Sequence, residues 1–200
     1  MASQAIGIAI FLPLVGFLLN GLLGWKIKNE RVAGIIGSST VGIAFLVAVA
    51  TFVQMLGSPV DQRSHVLTLM PWIHAGSLSV NLSYQVDQLS ILMMLIVTGV
   101  GFLIHVYSIG YMHGDPGFRR FFSYLNLFIF AMLNLVMADN FLLLFLGWEG
   151  VGLCSYLLIG FWYDRKFEKS TTADAAKKAF IVNRIGDFGF LIGMFLIFQT

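Results

Sequence analysis

Three ionisable side chains lie inside stretches of sequence that are otherwise apolar: Glu149, Arg184 and Asp187. A carboxyl group in such surroundings can bind and release a proton, because desolvation favours its protonated form and a nearby cation favours its ionised form. Arg184 and Asp187 are three residues apart, so in a helix they share a face and can form an ion pair. These residue types predict proton transfer, and a fixed neutral ion pair between helices is the alternative.

These three residues lie on predicted membrane helices. The 200 residues are 58% hydrophobic and 11% charged, whereas soluble proteins average about 45–50% and 25%, so the composition excludes a soluble enzyme. A helix needs about 20 mostly apolar residues to cross the hydrocarbon layer. Windows of that kind cover residues 5–25, 32–56, 88–110, 121–138, 141–163 and 179–199. We therefore expect one domain over 1–200, an all-α bundle of about six transmembrane helices.

The basic residues lie on alternate connections between these windows. Ten of the 12 Lys and Arg residues flank the first, third and fifth connections: Lys26, Lys28, Arg31, Arg119, Arg120, Arg165, Lys166, Lys169, Lys177 and Lys178. Cytoplasmic loops of membrane proteins carry an excess of Lys and Arg. We therefore expect these loops to face the cytoplasm or the mitochondrial matrix, with both termini outside. The net charge of +2 is too small for a nucleic-acid-binding surface.

The windows also predict depths for the polar residues. From the inside outward we expect the order Lys178, Arg184, Asp187, Glu149 and Asp139. This order puts the two intramembrane carboxyl groups on either side of the midplane. His105 lies toward the inner end of the third window, where its imidazole can relay protons because that group titrates near neutral pH. A polar anchor at the membrane interface is the alternative for this histidine.

The one long connection, residues 57–87, has a strand-like pattern. Apolar and polar residues alternate strictly from Leu78 to Val86, which is the period of a half-buried strand. A second run over 66–72, interrupted by Pro71, precedes it. We expect a small external β-hairpin that packs on the bundle.

No metal or cofactor site is expected on this chain. Cys154 is the sole cysteine, so neither an internal disulfide nor a Cys-based zinc or iron–sulfur site can form within it. The segment GWEGVG at 147–152 is not a phosphate-binding loop, because the preceding strand and the required glycine spacing are missing. Close helix packing explains its glycines better.

Three segments of the chain resemble one family of membrane proteins. They are VTGVGFLIHVYSIGYM at 97–112, DNFLLLFLGWEGVGLCSYLLIGFW at 139–162 and KAFIVNRIGD at 178–187. Together they resemble the antiporter-like largest membrane subunit of respiratory complex I, and the resemblance covers essentially the whole chain. Related subunits of multisubunit sodium/proton antiporters share the Glu-bearing helix without the GWEGVGLCS segment, so they are the second interpretation.

The resemblance implies a function and a set of partners. Glu149 would be a proton-channel carboxylate, with Arg184 and Asp187 in the same half-channel and proton uptake past Lys178. The chain would be a translocase subunit of NADH:quinone oxidoreductase without a redox site, and NADH, FMN and iron–sulfur clusters would be held by partner subunits. Partners would be other membrane-arm subunits, above all a neighbouring antiporter-like one, in a bacterial or mitochondrial inner membrane.

The resemblance also implies an incomplete channel. Family members are longer and carry an intramembrane Lys on the helix that would follow Thr200. We therefore expect an N-terminal fragment that does not conduct protons alone, because the cation that would switch Glu149 is missing. A purely structural role, with the buried charges as neutral ion pairs, is the remaining alternative.

Overall fold

The computed structural model describes residues 2–26, 29–59, 62–76, 78–167 and 170–199. Within them the helices are α1 (Ala2–Leu22), α2 (Glu30–Leu56), α3 (Gln88–Tyr111), α4 (Phe118–Val136), α5 (Phe141–Ile159) and α6 (Thr172–Gln199). The strands are β1 (His65–Ala75) and β2 (Leu78–Val86), before α3, and the short β3 (Lys166–Phe167) and β4 (Ser170–Thr171), before α6. Lys28 and Lys169 of the predicted basic loops lie outside the described residues.

The chain is an integral membrane protein built almost entirely from helices. Five of the described helices, all but α4, are long and apolar enough to cross a membrane. In α4, Arg119 and Arg120 occupy the first turn and the buried Asn126 and Asn134 lie further along. Each asparagine amide donates to the carbonyl one turn earlier in α4, at 2.9 and 2.8 Å. The helix therefore keeps these polar groups hydrogen-bonded inside the bundle, which is the condition for burying them.

The fourth helix is the centre of the bundle. It packs against α1, α2, α3 and α5. Its approach to α5 depends on glycine, because a Cβ at Gly147 would lie 2.5 Å from the backbone nitrogen of Leu135. A Cβ at Gly150 would lie 2.9 Å from the Cβ of Ala131. Gly147 and Gly150 thus serve close helix packing, as predicted, whereas a Cβ at Gly152 would meet only the Arg184 side chain, at an ordinary 3.8 Å.

The last helix is the least buried. It packs mainly on α5, and its buried residues are Ala176, Asp187 and Met194. Most of its apolar side chains are exposed in the described part of the chain, including Ile185 at 71%. The charged residues of α6 therefore contact the bundle mainly through α5.

This helix begins at Thr172, earlier than the predicted start at residue 179. The reason is a reciprocal cap, in which the Thr171 amide donates to Asp174 Oδ2 at 3.0 Å and the Asp174 amide donates to Thr171 Oγ1 at 3.2 Å. Such a cap satisfies amide groups that have no partner in the first helical turn. Lys177 and Lys178 consequently lie within the helix, where the sequence predicted a loop.

The first, third and fifth connections meet at one end of the bundle, here called the basic end. Arg119 donates from Nη1 to the Gly24 carbonyl at 2.5 Å, which joins the third connection to the first. Arg120 donates from Nη2 to the Phe161 carbonyl at 3.0 Å, which joins it to the fifth. The loops that the sequence assigned to one side therefore lie together.

The predicted hairpin forms at the opposite end, here called the hairpin end. β1 and β2 pair antiparallel, with Gly76 at φ +59° in the turn. The sheet register shifts next to Pro71, so the proline is accommodated within β1 by an irregularity. Tyr84 of β2 donates from its hydroxyl to Asn134 Oδ1 at 2.8 Å, which fastens the hairpin to α4. Burial raises the pKa of Tyr84 to about 12.

Candidate functional site

The charged residues predicted inside the membrane meet at the middle of the α5–α6 pair. Glu149 lies next to the midpoint of α5, and Arg184 and Asp187 lie on either side of the midpoint of α6. Their side chains are 22%, 37% and 7% exposed, respectively. Charges at this depth are costly unless they are paired or hydrated, and here they are paired.

One arginine serves both carboxylates. Arg184 is in direct ion-pair contact with Glu149 through Nη1. Its Nε lies 3.6 Å from Asp187 Oδ2, which is an ion-pair distance but too long for a hydrogen bond. Arg184 Nε is buried and has no hydrogen-bond partner among the described groups. The guanidinium is therefore bound tightly by one carboxylate and loosely by the other.

Two groups fix this arrangement from the side of α5 and α6. Trp148 donates from Nε1 to Asp187 Oδ1 at 2.7 Å, so the second carboxylate is held by α5. The Arg184 guanidinium carbon lies 4.4 Å from the centre of the Phe180 ring, a cation–π contact. Sequence reasoning missed both partners. Phe180, one turn before Arg184 in α6, carried a signal for this contact, because residues four apart share a helix face.

Sequence reasoning expected the cation that switches Glu149 to lie outside this chain and did not expect the contact of Arg184 with Glu149. Tyr156 contacts Phe180 and Trp148 stacks on Phe190, so α5 and α6 run antiparallel in a register that puts the long Arg184 side chain within reach of Glu149. The position of one helix relative to its neighbour cannot be read from hydropathy windows. The early start of α6 also shifted the predicted depths of its residues. Arg184 therefore already supplies the positive neighbour.

The two carboxylates are closer in depth than the sequence predicted. Asp187 is bonded to Trp148, the residue next to Glu149, so the two carboxylates lie at nearly the same level. Lys178 is exposed and follows the buried Ala176 by two residues, which places it on the opposite side of α6 from α5. The structure does not bring this lysine to the ion-paired cluster.

A cleft leads from the cluster toward the basic end. Its volume is about 400 Å³, and it lies between α4, α5 and α6. Asp187 lines the part of the cleft nearer the hairpin end, and Ser155 and Asn183 line the part nearer the basic end. This volume exceeds what one water molecule needs, roughly 30 Å³, so the cleft can hold hydrogen-bonded water beside Asp187.

His105 lies apart from the cluster, in the interior between α2, α3 and α4. It is 1% exposed, and its ring packs edge-on against Phe122 with centroids 6.0 Å apart. The alternative that it anchors α3 at the membrane interface is therefore wrong. In the described chain no group of three metal-ligating side chains comes together.

A second charged cluster joins loops at the basic end. Trp162 donates from Nε1 to Asp115 Oδ2 at 3.0 Å, and the Gly117 amide donates to Oδ1 at 2.7 Å. The hydrogen bond from Trp162, with smaller contributions from Gly117 and from Arg165 at 3.8 Å, lowers the pKa of Asp115 below its ordinary value. This cluster connects the third and fifth connections and stabilises the end of the bundle.

Two sequence models of known families match the chain. Residues 72–122 match the model described as NADH-ubiquinone oxidoreductase (complex I), chain 5 N-terminus. Residues 138–200 match the model described as NADH:quinone oxidoreductase/Mrp antiporter, TM. The second match contains all three residues of the ion-paired cluster.

Similar proteins include NADH-quinone oxidoreductase subunit L of several bacteria. The chain is 48% identical to that of Mycobacterium tuberculosis over 191 residues, covering 96% of this chain and 29% of the relative. It is 46% identical to that of Pseudomonas aeruginosa and 43% to that of Escherichia coli, covering 94% and 97% of this chain. The chain spans 30% of the length of each of these two relatives.

Two solved structures share this architecture. A chain of the archaeal membrane-bound sulfane sulfur reductase superposes with a TM-score of 0.73 at 17% identity, covering 98% of this chain and 28% of that one. A chain of the Mrp complex from Dietzia superposes with a TM-score of 0.68 at 25% identity, covering 96% and 18%. The first likeness is one of fold alone.

Proposed function

We propose that the chain belongs to the family of NADH-quinone oxidoreductase subunit L and forms the N-terminal part of a proton-translocating membrane subunit of that complex. One observation carries the proposal. A single arginine, Arg184, is shared between Glu149 and Asp187 midway along the α5–α6 pair. A cation with two carboxylate partners at one depth can change partner without leaving the site.

We propose that this exchange controls the protonation of Glu149. While the guanidinium contacts Glu149, the ionised carboxylate is stabilised by the opposite charge. When the guanidinium moves toward Asp187, Glu149 loses that charge in a poorly hydrated setting, and binding a proton becomes favourable. The longer distance to Asp187 leaves this second partner available, and the bond from Trp148 holds it in place.

The proposed route for protons begins at the basic end. The cleft lined by Ser155, Asn183 and Asp187 extends from the cluster toward that end and offers polar groups to water. Lys178, exposed on the side of α6 away from α5, does not line this cleft. Protons pass along water from the cleft to the carboxylates, and His105, being apart from this cleft, is not required.

The proposed orientation follows the basic residues. The basic end faces the cytoplasm or the matrix, since Lys and Arg are enriched on that side of membrane proteins. The hairpin end and both termini of the described bundle then face outward. The membrane is a bacterial inner membrane or, for a mitochondrial member, the mitochondrial inner membrane.

The chemistry assigned to this chain is ion movement without electron transfer. NADH, FMN and iron–sulfur clusters are proposed to be on partner subunits, and the energy for translocation is delivered through them. The nearest proposed partner is a neighbouring antiporter-like membrane subunit. The weakly buried face of α6 agrees with further protein or lipid beside it.

Replacing Glu149 by Gln in the assembled complex tests the proposal. In membrane vesicles, NADH-driven proton uptake should be lost or severely reduced while the complex remains assembled. Glu30→Gln is the matched control, because Glu30 lies at the basic end, where its carboxylate is 3.3 Å from His113. Unchanged proton uptake in Glu149→Gln would contradict the channel role and favour a structural one.

Sodium/proton exchange is a second candidate function. It is favoured by the family description that includes the Mrp antiporter and by the Mrp chain of similar fold. In vesicles, this function predicts a pH gradient that appears when a sodium gradient is imposed and that disappears in Glu149→Gln. A pH gradient that forms equally with sodium or potassium chloride would exclude it.

A further inference from the structure

A second polar site lies between α2 and α3, away from the ion-paired cluster. Ser38 of α2 and His105 of α3 are buried, at 6% and 1% exposure. Ser38 Oγ and His105 Nε2 have no hydrogen-bond partner in the described part of the chain. A buried polar atom without a partner is unfavourable, and internal water is the usual partner where the protein offers none.

The serine and the histidine occupy equivalent places on two facing helix stripes. A Cβ at Gly34 would lie 2.9 Å from the Ile109 side chain, and one at Gly42 would lie 3.0 Å from the Phe102 ring. The serine lies one turn from each of these glycines, and the histidine lies between their two partners on α3. The register of the helices therefore brings the two unpaired atoms to the same level of the α2–α3 contact.

The hydrogen-bonding role of His105 follows from its other nitrogen. Nδ1 lies 2.7 Å from the carbonyl oxygen of Gly101, which can only accept. Nδ1 therefore carries the hydrogen in the neutral ring, and Nε2 is an acceptor that needs a donor. The edge-on contact with Phe122 holds the ring in this orientation.

Ser38 differs from other buried hydroxyl residues of the same two helices. Thr51 of α2 donates to the Val47 carbonyl at 2.9 Å, and Thr98 of α3 donates to the Met94 carbonyl at 2.6 Å. Both hydroxyls are thus satisfied within their own helix, which is the common arrangement. The hydroxyl of Ser38 makes no such bond to a described group, so it remains available to a ligand between the helices.

We propose that a water molecule binds between α2 and α3, donating one hydrogen bond to His105 Nε2 and sharing another with Ser38 Oγ. A groove of about 300 Å³ along α3 and α4 also reaches the histidine, but no residue of α2 lines it, so the proposed water lies outside this groove, in the contact between α2 and α3. The neighbouring contacts between α2 and α3 are apolar, through Ile109 and Phe102, so the serine and the histidine supply the polar recognition. This site does not depend on the proposed translocation function.

Solid-state NMR of the full chain in lipid bilayers tests the site. The other three histidines, His65, His74 and His113, are exposed and can be replaced by Gln, which leaves His105 as the sole nitrogen-15-labelled histidine. Magnetisation is then transferred from water protons to the imidazole. We expect transfer to His105 well above that to the methyl group of Thr98, a buried control on the same helix.

Two single variants assign the second partner. Ser38→Ala should reduce the transfer to the level of the Thr98 methyl group, and Thr51→Ala, which removes a hydroxyl already bonded within α2, should leave it unchanged. No transfer to His105 in the protein with Ser38 intact would overturn the proposal, whether or not the variants fold. Equal transfer with and without the Ser38 hydroxyl would also overturn it.

Discussion

The indole of Trp148 on α5 donates a hydrogen bond of 2.7 Å to the carboxylate of Asp187 on α6. Trp148 is adjacent to Glu149, and Asp187 is three residues from Arg184. The bond therefore sets the position of one carboxylate relative to the other and to the arginine between them. Because α6 packs mainly on α5, this contact also supports the attachment of the last helix.

Trp148→Phe should weaken that attachment. The aromatic ring remains, while the hydrogen bond to a buried carboxylate is lost, so the free energy of unfolding should fall by about 2 kcal/mol. Denaturant titration in mixed micelles, followed by circular dichroism, measures the change. The matched control is Trp72→Phe in the hairpin, which should stay within about 0.5 kcal/mol. Equal effects of the two variants would count against the bond between the helices.

Gly147→Ala should separate α4 from α5. The added Cβ would lie 2.5 Å from the Leu135 nitrogen, and backbone atoms cannot move aside as a flexible side chain can. We expect a loss of about 1–3 kcal/mol in the free energy of unfolding, as for other overpacked sites. Gly110→Ala is the control, because no described atom lies within 4 Å of a Cβ there. Equal stability of the two variants would contradict the proposed close approach.

The Asp115 cluster should give a pH-dependent contribution to stability. The pKa of Asp115 is lowered in the folded protein, chiefly by the hydrogen bond from Trp162. Its contribution is therefore present above the ordinary Asp pKa of 3.8 and is lost as the pH falls through the lower folded value. Thermal midpoints of the protein and of Asp115→Asn should differ at neutral pH and converge in acid.

Trp162→Phe provides an independent check on the cause. It removes the largest contribution to the lowered pKa of Asp115 and keeps the ring. The loss of stability in acid should then be smaller, and complete at a higher pH, than in the unaltered protein. A difference between the protein and Asp115→Asn that is constant over the whole pH range would refute the linkage.

Much of the fold could be predicted from residue patterns. The apolar windows located the helices, the strict alternation from Leu78 to Val86 located β2, and the three-residue spacing located the contact of Arg184 with Asp187. These features are local, because each depends on the periodicity of one segment. The start of α6 was misplaced although Thr171 and Asp174 form a recognisable capping pair.

The contacts between helices were beyond the sequence. Whether Glu149 meets Arg184 depends on how α5 and α6 slide past each other, and this is set by the connection between them and by glycine-mediated packing on α4. The partners of His105 depend similarly on the register of α2 against α3. The type of a residue predicts the chemistry that it can do, whereas the packing of the helices decides which residue it contacts.

Infrared difference spectroscopy of the assembled complex in bilayers tests whether Glu149 is protonated during turnover. On addition of NADH, we expect a carbonyl stretch from a newly protonated carboxyl group, absent in Glu149→Gln and retained in Glu30→Gln. If Glu149 instead stays ionised against Arg184 throughout turnover, this band will not depend on residue 149, and the partner exchange proposed for the arginine is contradicted.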